Sequence, residues 1–184
     1  MNAKHEQGKI SVPVNSINVH DDWNPNTSSF DADIAIITLD RVVQFNEYIQ
    51  PICLTIPNSI PASITISYVV GFGSGDSNKF GVASIMTSPI VHNRKCIEEF
   101  PDVESLLSPR SFCGGYSNGT GVCDGDSGSG LFVQHDGAFY LRGVVSSSLA
   151  DALHQCNVNS PSVFTDAVWF YNYITSGGIV KNQN

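Results

Sequence analysis

The 184-residue chain reads as an all-β protein closed by a C-terminal helix. Two observations predict this class. Short runs rich in β-branched residues recur between turns made of Gly, Asn, Asp and Pro, and only one stretch near the end places apolar residues three and four apart. In chain order the strands fall at 10–19, 34–39, 64–70, 84–91, 130–134 and 139–145. Between the last two, Asp136-Gly137 is a hairpin-turn pair. The helix covers 166–174, with Asp166 at its start and Gly177-Gly178 as its stop. Its aromatic residues are expected in the core rather than at a ligand site.

Length and composition fit one domain over 1–184, with a usable core and no internal repeat. A formal net charge of −8 argues against nucleic acid and against anionic membrane surfaces as partners. No apolar run is long enough for a transmembrane helix. The polar start Met1-Asn2-Ala3-Lys4-His5-Glu6 is no signal peptide, so a secretion signal is expected upstream if there is one. Five cysteines without a C-x-x-C pair or a neighbouring histidine set read as disulfide partners in an extracellular, oxidising compartment. Neither a metal nor a cofactor is expected. Asn26-Thr27-Ser28 and Asn118-Gly119-Thr120 are N-glycosylation sequons.

The most informative stretch is Val122-Cys123-Asp124-Gly125-Asp126-Ser127-Gly128-Ser129-Gly130-Leu131. Gly125 and Gly128 permit a crowded turn that presents Ser127 as a nucleophile, and the N–H groups of Gly125 and Ser127 can converge on a developing oxyanion. Upstream, Asp33 opens the apolar strand Asp33-Ile34-Ala35-Ile36-Ile37-Thr38-Leu39. A carboxylate buried there costs several kcal/mol unless partnered, and an imidazole N–H is a natural partner. A G-x-S-x-G esterase elbow does not fit, because Ser129 holds the position of its last glycine.

The serine segment resembles the GDSGGP run of chymotrypsin-like S1 serine proteases, with Ser129-Gly130 in place of Gly-Pro. Asp33 and its strand are similar to the DIALL run of that family, and Pro51-Ile52-Cys53-Leu54 to its PVCL segment. Val69-Val70-Gly71-Phe72-Gly73, Ser111-Phe112-Cys113-Gly114-Gly115, Arg142-Gly143-Val144-Val145-Ser146 and Ser160-Pro161-Ser162-Val163-Phe164-Thr165 match further family segments. The phrasing around Cys113 and Arg142 resembles arthropod members. The resemblance implies a double β-barrel, the first barrel incomplete and the second whole, closed by a C-terminal helix. It implies Ser127 and Asp33 as catalytic residues, Gly125 and Ser127 as the oxyanion hole, and Asp126 as the acid that pairs with a new N-terminus on zymogen cleavage. It implies disulfides Cys96–Cys113 and Cys123–Cys156. Cys53 either bridges to an upstream segment or is a buried free thiol.

By the same resemblance the substrate pocket is lined by Gly121, Val122, Ser146, Ser147, Ser148 and Ser162. With no acid at Gly121, cleavage after Arg or Lys is not expected; small or medium uncharged groups are. Partners would be protein or peptide substrates, protease inhibitors or cascade proteins.

The family's T-A-A-H-C segment, which carries the general base, has no counterpart here. His5 sits in a polar run, His20 matches the loop before the aspartate strand, His92 lies among polar residues, and His135 precedes the hairpin turn. His154 lies near the expected cleft but must reach both serine and aspartate to serve as base. A triad without one member retains only about 10³–10⁴-fold catalysis over water. Two readings result: a fragment of a serine endopeptidase that is inactive as written, or a non-catalytic homologue that serves as a binding or regulatory module. In either, Asp126 without its cationic partner would favour a collapsed oxyanion hole, and the incomplete first barrel would expose sticky apolar surface.

Overall fold

The computed structural model describes residues 9–27, 29–73, 83–115, 121–149 and 157–178. Ten strands and two short helices follow one another: β1 (Val14–Val19), β2 (Ala35–Leu39), β3 (Cys53–Leu54), β4 (Ser67–Gly71), β5 (Ser84–Thr87), β6 (Ile90–Val91), α1 (Asn93–Glu99), β7 (Ser111–Gly115), β8 (Gly130–His135), β9 (Ala138–Ser148), β10 (Pro161–Asp166) and α2 (Tyr171–Thr175). A 3₁₀ turn, Pro101–Ser105, follows α1.

The larger sheet runs β5-β4-β8-β9-β10-β7-β6, with β3 added in parallel to β9. β5 and β6 are two ends of one stretch interrupted at Ser88-Pro89. The first end pairs with β4 and the second with β7, so the antiparallel sheet closes on itself. Backbone bonds from Ser88 to Ser67 (2.8 Å) and from Ile90 to Thr65 (2.8 Å) complete the seam. Closure leaves that face no unpaired edge. Its interior is filled by Val69, Phe112, Val122, Leu131, Val145 and Phe164. The Phe112 and Phe164 rings stack with centroids 5.5 Å apart.

β1 and β2 form a separate antiparallel ribbon, the described part of the first barrel. Its register sets Val14 opposite Leu39, Ile17 opposite Ile37 and Val19 opposite Ala35 on one face. The other face meets α2: Ile36 packs against Phe170 and Tyr173, Asn18 Nδ2 donates to the Gly178 carbonyl (2.7 Å), and the Tyr173 hydroxyl donates to the Asn18 carbonyl (2.7 Å). The face turned away from α2 is thus the apolar one, and Ile17 and Ile37 are 62% and 57% exposed.

Three features differ from the sequence reading. α1 lies where no helix was expected; it is capped by His92, whose Nδ1 accepts from the Arg94 N–H (3.2 Å), and it is tied to β7 by the Cys96–Cys113 disulfide. α2 begins at Tyr171 rather than at Asp166, because Asp166 closes β10, bonds Arg142 and accepts from the Val168 N–H. β7 and β10 are central strands that the β-branched runs do not mark.

Phe164 is fully buried at the centre of the barrel. Phe164→Ala is expected to lower unfolding free energy by about 3–5 kcal/mol, as removal of a core aromatic leaves a cavity the closed sheet cannot collapse into. Urea denaturation followed by near-UV circular dichroism checks this.

Candidate active site

The turn between β7 and β8 carries Ser127. Gly125 and Gly128 adopt φ of 91° and 84°, the left-handed region that glycine enters without strain, so the chain reverses twice around an exposed Ser127. The turn is stapled to β9: the Gly128 N–H donates to the Val145 carbonyl (2.9 Å) and the Val145 N–H to the Ser129 carbonyl (2.8 Å). Neither the Gly125 N–H nor the Ser127 N–H donates to a described residue.

Asp126, between them, points the opposite way and is 1% exposed. Its Oδ1 accepts from the Gly73 N–H (2.8 Å) and its Oδ2 from the Cys123 N–H (3.0 Å). Partners are therefore supplied by main-chain amides of the turn itself and of the segment after β4. A Cβ on Gly71 would stand 2.0 Å from Asp126 Oδ1, and one on Gly73 2.6 Å from its Cγ. Both glycines are required by that close approach.

Asp33 precedes β2 and is bound to the barrel from two sides. Its carboxylate accepts from Ser146 Oγ (2.7 Å) on β9, and its carbonyl from Thr165 Oγ1 (2.8 Å) on β10. Asp33 and Ser127 line one cleft of about 580 Å³, whose walls include Ile17 and Ile37 from the ribbon and Leu141 and Val144 from β9. The apolar face of the ribbon fronts this cleft.

Of the residues expected to line a substrate pocket, Gly121 and Val122 are buried, and Ser162 and Ser148 stand opposite each other in the β10–β9 register. Ser147 faces Val163 across the same ladder. Ser146 is engaged with Asp33, a role the sequence reading did not give it. Cys123 is disulfide-bonded, while Cys156, Asn118, His5 and His154 lie outside the described residues. Cys53 is a free, exposed thiol rather than a buried one. Asn26 is exposed, as a sugar acceptor must be.

The histidines among the described residues are committed elsewhere. His20 is buried against Phe170 and Tyr173 with its Nδ1 accepting from the Asp22 N–H (3.2 Å), His92 caps α1, and His135 flanks the hairpin turn. Among the described residues no group of His, Cys, Asp and Glu is placed to hold a metal ion, and no helix is long and apolar enough to cross a membrane.

A serine on a double-glycine turn above a buried acid, with a second acid across the same cleft, is the geometry the motif resemblance implies, and comparison with known proteins bears on it directly. Residues 1–174 match the family model described as Trypsin. The chain belongs to the trypsin family. Among curated proteins it is 30% identical to Serine protease gd of Drosophila melanogaster, across 94% of this chain and 39% of that protein. It is 30% identical to CLIP domain-containing serine protease HP8 of Bombyx mori, across 90% of this chain and 46% of that protein. With Venom protease of Bombus pensylvanicus it shares 32% identity, across 85% of this chain and 63% of that protein. The chain thus spans under half the length of the first two relatives. These matches support an arthropod-type member of the family and, with the closed sheet, the chymotrypsin-like double-barrel class.

The acid side of the site also predicts pH behaviour. The Arg110 guanidinium bonded to Asp31 holds that carboxyl below its ordinary value, against a smaller opposing effect of burial. A depressed folded-state pKa contributes stability above the unfolded value of about 3.9 and loses it as pH falls below that value through the folded pKa. Asp31→Asn is expected to flatten the loss of stability between about pH 5 and pH 2. Thermal melts of both proteins across that range check it.

Proposed function

We propose that this chain is the larger part of a secreted S1 serine endopeptidase domain whose N-terminal part lies outside this sequence. Ser127 attacks the peptide carbonyl, the amides of Gly125 and Ser127 hold the oxyanion, and Asp33 orients an imidazole that takes the serine proton. The observation that carries this reading is the shared cleft of Ser127 and Asp33, with two unused main-chain donors beside the serine. A binding module would need neither acid nor turn. Extracellular residence is supported by the Cys96–Cys113 disulfide, and a protein substrate by the serine-protease relatives. Asp126 serves in this reading as the acid that fixes the oxyanion turn, and the attached sugar, if made, would sit on Asn26 or Asn118.

The chain as written is expected to be nearly inactive, since each described histidine is engaged away from the cleft. That same observation favours the second reading, a non-catalytic homologue that binds inhibitors or cascade proteins. A fluorophosphonate probe separates the two. The chain alone should not be labelled; the polypeptide extended upstream and activated should be labelled at Ser127, and Ser127→Ala should abolish it. Asp33→Asn in the extended protein should lower kcat by about 10⁴-fold. Stoichiometric labelling of the chain alone at neutral pH would overturn the assignment of the base to an upstream segment.

Specificity follows from the pocket positions Gly121, Val122, Ser147, Ser148 and Ser162. None offers a counter-charge, and an unpaired cation there would cost several kcal/mol of desolvation. The extended enzyme is expected to cleave after small or medium uncharged residues. Profiling against a peptide library checks this, and dominant cleavage after Arg or Lys would refute it.

A further inference from the structure

Arg110 sits just before β7, yet its guanidinium reaches the segment that leads into Asp33. Nε (3.0 Å) and Nη2 donate to the two carboxylate oxygens of Asp31, and Nη1 donates to Asp22 Oδ2 (2.6 Å). The cation also lies 5.3 Å from the centroid of the Phe170 ring, and the side chain is only 17% exposed. Such a planar, bidentate grip fixes orientation as well as distance, which a lysine could not do. The two carboxylates raise the guanidinium pKa above its already high ordinary value, so the cation keeps its charge.

What it grips is a strained turn. Ala32, next to Asp31, is 1% exposed and has φ of 54°, a region non-glycine residues enter at a cost. The Ile34 N–H closes the turn onto the Ala32 carbonyl at 2.7 Å. At the centre of that turn Asp33 is received by Ser146 and Thr165. The strained residue therefore stands between two anchors, both on the barrel.

We propose that Arg110 is a positioning residue which, by clamping Asp31 and Asp22 to the barrel, holds Ala32 in its left-handed turn and so aims the Asp33 carboxylate at Ser146 and the cleft. The proposal deepens the reading of Asp33 as the orienting acid. Without the clamp Ala32 relaxes to negative φ, the following peptide rotates, and Asp33 leaves Ser146.

Carboxyl-¹³C aspartate NMR of the full chain tests it without any catalytic turnover. Ser146→Ala is expected to shift the Asp33 carboxyl resonance in the native background, because a donor to that carboxylate is removed. In an Arg110→Ala background the response to Ser146→Ala should be lost, and adding Ala32→Gly should restore it at least in part, since glycine enters positive φ without the cost that alanine bears. Should Arg110→Ala fail to fold, Asp31→Asn, which keeps shape and loses the charged fork, should give the same loss. An unchanged response to Ser146→Ala in either background would overturn the proposal, as would loss that Ala32→Gly does not reverse. Failure of the probe experiment on Ser127 would leave this result standing, and the reverse also holds.

Discussion

A single buried carboxylate governs how the serine is presented. Asp126 is almost wholly enclosed, and a carboxyl group in that position is tolerated only when its polar atoms are met by partners. Two main-chain donors meet them, one from within the turn at Cys123 and one from Gly73, at the far end of a sequence separation of 53 residues. The second bond makes the turn a tertiary feature: the segment after β4 has to be in place before the acid can turn inward. Once it does, Gly125 and Gly128 stand at positive φ, with Ser127 outside and Asp126 inside. The glycines at 71 and 73 belong to the same constraint, since neither leaves room for a side chain beside the carboxylate.

The second acid obeys a different logic. Asp33 lies on the ribbon, and its orientation is borrowed from the barrel through Ser146, Thr165 and the Arg110 clamp on Asp31. The ribbon is anchored to α2 through Asn18, Ile36 and Tyr173, and Ile17 and Ile37 on its apolar face line the cleft. An apolar face of two strands is ordinarily covered by further strands. Here its outlook onto the cleft shared by Ser127 and Asp33 places any covering segment beside both residues.

Much of this was legible in the sequence, and the physical reason for the remainder is specific. Runs rich in β-branched residues between turn residues predict the strands at 34–39 and 139–145. β7 and β10 are buried on both faces along almost their whole length, so Ser111–Gly115 and Pro161–Asp166 show no alternation, and their Gly, Ser and Pro content reads as turn. Only the resemblance to family segments pointed to them. α1 escaped notice because a seven-residue helix carries too short a stripe to register, and its stability comes from a histidine cap and a disulfide to β7. In the site, the residue types and the Gly-flanked serine were readable because local backbone demands fix them. Apart from the local Cys123 amide, the partners of Asp33 and Asp126 were not, because they are long-range donors: a serine on β9, a threonine on β10 and an amide after β4. Arg110 left no local signal either; Asp22, Asp31 and Arg110 become one cluster only when the ribbon meets the barrel.

The distribution of these supports explains how a proteolytic site can be divided along a chain. The proposed nucleophile and its two unused amide donors are held by bonds that begin and end in the closed barrel. The orienting acid is held half by the ribbon and half by that barrel. Neither holds a base, and the histidines among the described residues are fixed by contacts that serve packing, capping or a turn. In the reading proposed here, the general base arrives on a segment laid across the apolar face of the ribbon. Its burial would complete the barrel interior and bring the imidazole over Asp33 in the same step. Folding of the first barrel and assembly of the proton relay would then be one event, with the serine already aimed by bonds of the closed barrel.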